Sequence, residues 1–189
     1  MVRKYVDLMV HARQNMFWLT AGDLFTVADG KPVLNAARLR RLVELFTRAG
    51  MHYIEGPHLA HRPDNQWQAL GFIVATQPNV EASSLEGVRW VAAMAGQLQA
   101  EITARGWQDR WVQHVTDEPI DENAADYRLV AGTIRPYMPG VKLLDATICK
   151  AVAGALDIRE QAAVQILLLC GLSTINHAAS PIAPAGTHT

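Results

Sequence analysis

Cysteine is scarce in this chain: only Cys149 and Cys170 occur among 189 residues. They lie in dissimilar contexts without metal-type spacing, so neither a disulfide framework nor a zinc site is indicated. A surplus of either charge sign is also missing. With 17 Lys and Arg against 18 Asp and Glu, the formal net charge is −1. The densest basic cluster, Arg38, Arg40 and Arg41, reads as a solvated helix face, which leaves no electrostatic footprint for nucleic acid or an anionic membrane. A neutral ligand fits better than a polyanion. The apolar run 162–172 is too short to cross a bilayer. The start, MVRKYVDLMV, lacks the unbroken apolar core and cleavage site of a signal peptide; cellular location is left open. Finally, residues 161–189 contain no Asp, Glu, Lys or Arg and end in HAASPIAPAGTHT. That composition sets a tail, 159–189, apart from residues 1–158, as a reading-frame change would.

What is present is apolar material: half the residues are hydrophobic, enough for the core of about one domain. Residues 3–14 read as a helix and MFWLT at 16–20 as a strand. Two short extended pieces around Asp29-Gly30 read as a hairpin. Asn35 caps a helix with Leu39, Leu42, Val43, Leu45 and Phe46 at helical spacing, and Gly50 stops it. MHYIEGP at 51–57 is the next strand. A long irregular stretch, 58–83, follows. The longest helix spans 86–105, with Val88, Val91, Ala92, Ala95, Leu98 and Ile102 on one face and Gly106 at its end. The strand WVQHVTDEP, a helix over 124–137 closed by Pro139-Gly140, and the strand VKLLDATI complete the pattern.

Helices and strands alternate with connections long enough for crossovers, which predicts a parallel α/β sheet. Acidic residues recur at successive strand ends: Glu55, then Asp117 and Glu118, then Asp145. Barrel enzymes keep their active sites there, so the fold expected is a partial (β/α)8 barrel of about four βα units.

The sharpest chemical signal is Asp117-Glu118-Pro119. Two adjacent carboxylates at a strand end, followed by a proline that halts regular pairing, can both turn into a cleft. Like charges that close raise one pKa, and glycosidic bond cleavage needs a carboxylic acid still protonated near neutral pH. Neighbours on one strand are badly arranged for double displacement, where nucleophile and acid stand about 5 Å apart across the bond. They suit substrate assistance, in which the sugar's own 2-acetamido oxygen attacks the anomeric carbon. On the tripeptide alone, an acidic solvated loop is the simpler explanation.

The stretch WVQHVTDEPIDENAADYRLVAGTIRPYMPGVKLLDA, with its strand–DEP–helix–PG–strand order, resembles the catalytic domain of glycoside hydrolase family 123, the β-N-acetylgalactosaminidases. MFWL and RAGMHYIEGPHL are similar to that family's barrel strands, so the resemblance covers roughly residues 1–158. It implies a (β/α) barrel behind an N-terminal β-sandwich, and hydrolysis of terminal β-linked N-acetylgalactosamine through an oxazoline-type intermediate. Carried over, Asp117 orients the acetamido group and Glu118 is the acid/base. The sandwich, the first barrel strand and everything after about residue 158 are lacking, which keeps a catalytically inactive fragment open as an alternative. No metal or organic cofactor is implied.

Around that pair, His58 and His61 could hydrogen-bond sugar hydroxyls or be plain solvated loop histidines. Trp67 and Trp107 could stack on a pyranose ring; Trp90 and Trp111 read as core. Glu55 and Asp145 are either supporting carboxylates or solvated strand ends. A metal site from His58, His61, His114 and Asp117, as in metal-dependent barrel hydrolases, is a further alternative, set aside because His114 has the wrong strand parity relative to Asp117. The partner expected is a carbohydrate; oligomeric state is left open.

Overall fold

A computed structural model describes residues 2–160; of the tail expected at 159–189, residues 161–189 lie outside the described residues. Helix α1 (Val2–His11) leads into strand β1 (Met16–Trp18), then a short helix α2 (Ala21–Leu24). The Asp-Gly hairpin forms as expected, from β2 (Phe25–Ala28) and β3 (Lys31–Leu34). Asp29 and Gly30 both take positive φ, 50° and 66°, the twist a two-residue turn requires between paired strands. Asn35 accepts a 2.9 Å hydrogen bond from the Arg38 amide and so starts α3 (Ala36–Arg48). Strand β4 (Tyr53–Gly56) follows.

The stretch 58–83 is not irregular, as its composition suggested. It builds a three-stranded antiparallel sheet from β5 (Ala60–His61), β6 (Ile73–Val74) and β7 (Gln77–Glu81). Ser84 then caps α4 (Leu85–Arg105), which ends at Gly106 in the left-handed conformation, φ 63°. Strand β8 (Trp111–His114) leads to α5 (Ala124–Ile134), and the expected continuation to 137 is a 3₁₀ turn. Strands β9 (Lys142–Ala146) and β10 (Ile158–Glu160) close the described chain.

The main sheet has the order β1-β4-β8-β9-β10, all parallel. It therefore holds five strands where about four units were expected. The order never reverses. A doubly wound sheet must reverse to place helices on both faces, whereas an array that adds each strand on the same side, always with right-handed crossovers, is the wall of a (β/α) barrel. The described chain is a partial barrel.

Register assigns the two faces. Met16 pairs with Tyr53, Trp18 with Glu55, Glu55 with Val112, and His114 with Leu144, so these side chains leave one side of the sheet. Phe17, Ile54, Trp111, Gln113 and Leu143 leave the other side and are buried. Phe17 stacks on Phe46 of α3 at 4.4 Å between ring centroids, which identifies this as the helix-covered face. From α4, Met94, Leu98 and Ile102 are fully buried, each contributing about 1.5–3 kcal/mol. Glu101 ties α4 to α3 through Arg40, at 2.6 and 3.0 Å, and is also met by Arg105 at 2.8 Å.

The close approach of β4 and β8 needs glycine at position 56. A Cβ there would collide with Gln113 Oε1 and stand 2.7 Å from Trp111 Nε1. Gln113 in turn donates to the carbonyls of Pro57, at 2.6 Å, and His114, at 2.7 Å. That buried amide fixes how β4 leaves the sheet, next to the strand ends that carry the acidic residues.

Candidate active site

Two of the acidic strand ends, Glu55 and Asp145, meet around His114, a residue the sequence offered only as a metal ligand. His114, at the last position of β8, donates from Nδ1 to Glu55 Oε1 at 2.7 Å and from Nε2 to Asp145 Oδ1 at 3.2 Å. Strand β8 ends at His114, and Asp117 lies three residues beyond it in the turn. Burial alone would lower the His114 pKa. Hydrogen bonds to Asp145 and Glu55, with their negative charges, outweigh it and raise the group to about 9.

Asp145 is fully buried and accepts four hydrogen bonds. Besides His114 it takes the Glu118 amide at 3.1 Å, the Thr116 amide at 3.1 Å and the Thr116 hydroxyl at 3.3 Å. A buried carboxylate with this many donors is a fixed anchor, since losing any one leaves charge unpaired. Tyr127 lies nearby, its hydroxyl buried without a partner; burial, then the Asp145 charge, keeps it protonated.

His58 packs its ring edge against His114, 3.9 Å between centroids, and tilts against Trp18 at 5.3 Å. Burial first, then the His114 charge, push His58 down to about 3, so it is neutral beside a charged imidazolium. His61 Nδ1 lies 2.8 Å from the Arg62 carbonyl oxygen. Both His114 nitrogens are occupied by carboxylates, and among the described residues no group of three or more His, Cys, Asp or Glu is placed to hold a metal ion.

The Asp117-Glu118-Pro119 turn is held at consecutive backbone positions. Asp145 takes the Glu118 amide, Arg62 donates to the Glu118 carbonyl, and Thr147 donates to the Pro119 carbonyl at 2.9 Å. Glu118 itself adopts φ 43°, a left-handed conformation that a non-glycine residue enters at a cost. Asp117 is more than half exposed, with Oδ2 3.8 Å from Arg62 Nη1.

Beside this turn, at the C-terminal ends of β8 and β9, opens a cleft of about 590 Å³. Glu118, Asp121, Glu122, Ile148, Lys150 and the half-exposed Trp67 are among its walls. Trp67 also carries the Arg62 guanidinium over its ring at 4.4 Å. Trp107, the other tryptophan considered as a sugar platform, instead stacks on Trp111 near the start of β8. The structure thus brings Glu55, Asp145 and His58 together through His114 and puts Glu118 and Trp67 on one cleft. Arg62, Thr116 and Thr147 had no signal of their own in the sequence beyond proximity to a strand end, and His114 was considered only as a metal ligand.

No protein-family profile matches the sequence, and no curated protein matches it. Among solved structures the chain is similar to a glycoside hydrolase family 5 lichenase from Caldicellulosiruptor sp. F32, at 11% identity and a TM-score of 0.44 over 77% of this chain. It is also similar to a variant of that lichenase in complex with cellotetraose, at 11% identity and 0.48 over 87%. Both scores fall below 0.5, so the likeness adds nothing to what the strand order itself shows. The chain spans 43% and 48% of those two structures.

Proposed function

We propose that the chain carries the acid/base pair of a glycoside hydrolase that removes a terminal β-linked N-acetylhexosamine, N-acetylgalactosamine by the resemblance to family 123, through substrate assistance. The observation that carries this reading is the pinned Asp117-Glu118 turn on the edge of the cleft: Glu118 lines the cavity while its amide and carbonyl are both held. Holding the backbone fixes where the carboxylates start and leaves their side chains to meet the substrate.

In the first step the 2-acetamido oxygen attacks the anomeric carbon as the glycosidic C–O bond breaks, and Glu118 gives its proton to the departing oxygen. Asp117 orients the acetamido group and balances the positive charge it gains. In the second step Glu118 takes a proton from water as the water oxygen attacks the same carbon and opens the oxazoline-type ring, with net retention. Trp67 offers an apolar ring face to the sugar's C–H surface, and His58, His61, Glu55 and Asp145 support the substrate's surroundings.

One observation favours a second reading, a catalytically inactive piece of such an enzyme: β1 and β10 each have one unpaired side among the described residues. The two readings separate on release of p-nitrophenol from its N-acetyl-β-galactosaminide by the purified chain, with a thermal melt run beside it. Turnover that Glu118→Gln abolishes while the melt is unchanged is the expected result. A cooperatively folded parent with no turnover on this or the corresponding glucosaminide would sink the catalytic reading.

A further inference from the structure

The antiparallel sheet between β4 and α4 has no place in a plain βα repeat, and one residue explains what it contributes. Arg62 directly follows β5 and is 5% exposed, yet no carboxylate pairs with it closely; among the described residues its one ion-pair neighbour is Asp117 at 3.8 Å. Its Nε is buried without a partner. A buried guanidinium so poorly compensated weakens the fold where it sits. What it does satisfy is local to the cleft: Nη2 donates to the Glu118 carbonyl and Cζ sits over the Trp67 ring, 4.4 Å from its centroid.

We infer that Arg62 is the positioning residue of this site: it clamps the left-handed Asp117-Glu118 turn from the side opposite Asp145 and sets Trp67 as the facing wall. The inference rests on the reading of Asp117 and Glu118 as the reacting pair. Asp145 holds the amide of Glu118 and Arg62 the carbonyl, so the peptide units on either side of the glutamate are both fixed. The same guanidinium stands nearest the Asp117 carboxylate, the group assigned to the acetamido nitrogen. One planar cation thereby ties the orienting carboxylate, the acid/base backbone and the aromatic wall together. Lysine cannot replace it, because a compact ammonium neither stacks flat on an indole nor reaches two acceptors in fixed directions.

The test compares the parent with Arg62→Lys and Arg62→Ala by amide hydrogen exchange, reading Thr116 and Glu118 against Leu98 in α4 and Leu143 in β9. Exchange at Thr116 and Glu118 is expected to rise about tenfold or more in both variants with the two control amides unchanged. Methylguanidine added to Arg62→Ala should restore part of the protection. In turnover, kcat is expected to fall about 100-fold with a much smaller change in KM, as for a misplaced rather than a missing carboxylate. Unchanged turn amides, or an equal rise at all four, would overturn the inference. If the parent hydrolyses nothing, the catalytic reading fails by itself, and the clamp still stands or falls on the amides.

Discussion

The buried strand ends and the exposed turn beside them are built on opposite terms. Glu55, His114 and Asp145 bind one another through side chains, with Asp145 fully enclosed and the His114 side chain 9% exposed. Asp117, three residues beyond His114, leaves its side chain 56% exposed, and the turn it belongs to is held by its backbone. Rigidity is thus generated where water is excluded and handed outward through peptide groups. The carboxylates that would meet a substrate need not be neutralised by the same contacts that hold them.

Removing the shared anchor should break this arrangement most severely. Asp145→Ala leaves His114 short of one counter-charge and strips two amides and a hydroxyl of their acceptor, a loss of about 3–5 kcal/mol by urea unfolding. A loss under about 1 kcal/mol would mean that the turn is held from elsewhere. The next effect is on pH dependence. His114 binds its proton more tightly in the fold, about 9 against 6.5, so its stabilisation is complete below pH 6.5 and fades as pH rises through about 9. His58 binds its proton more weakly, about 3 against 6.5, so its neutral packing costs stability as pH falls below 6.5. Melting temperature should peak between those limbs, and His114→Gln should flatten the alkaline limb while leaving the protein less stable at pH 6. An alkaline limb retained in that variant would assign it to another group.

The smallest change in stability sharpens the comparison from the open side. Trp67→Ala should shift unfolding by less than about 1 kcal/mol, since a half-exposed ring loses little beyond its contact with Arg62. Its KM for the N-acetylhexosaminide should rise several-fold. No change in KM would remove Trp67 from the binding surface.

Local signals were legible in the sequence and distant ones were not. The Asp29-Gly30 hairpin, the Asn35 cap and the α4 stripe through Val91, Ala95, Leu98 and Ile102 each depend on residues a few positions apart, and each is present. The sheet over 60–81 was missed because two of its strands are two residues long and exist only by pairing, Ala60 with Val74 and His61 with Ile73. Glu55, Asp145 and the Asp117-Glu118 pair stood out because acidic strand ends have a meaning in a barrel. His114 was weighed only as a metal ligand, because its carboxylate partners Glu55 and Asp145 lie 59 and 31 residues away in sequence. Arg62 reaches its partner 56 residues away, a contact that no spacing rule reports.

The left-handed backbone at Glu118 has a consequence for how the sequence would drift. Glycine or asparagine would sit there with less strain, so selection for stability alone pushes this position away from glutamate. If Glu118 is the acid/base proposed above, demand for its carboxylate is what holds it in place. Descendants that had abandoned the chemistry should lose this residue early, while the sealed Glu55–His114–Asp145 cluster, which the fold itself needs, would outlast it.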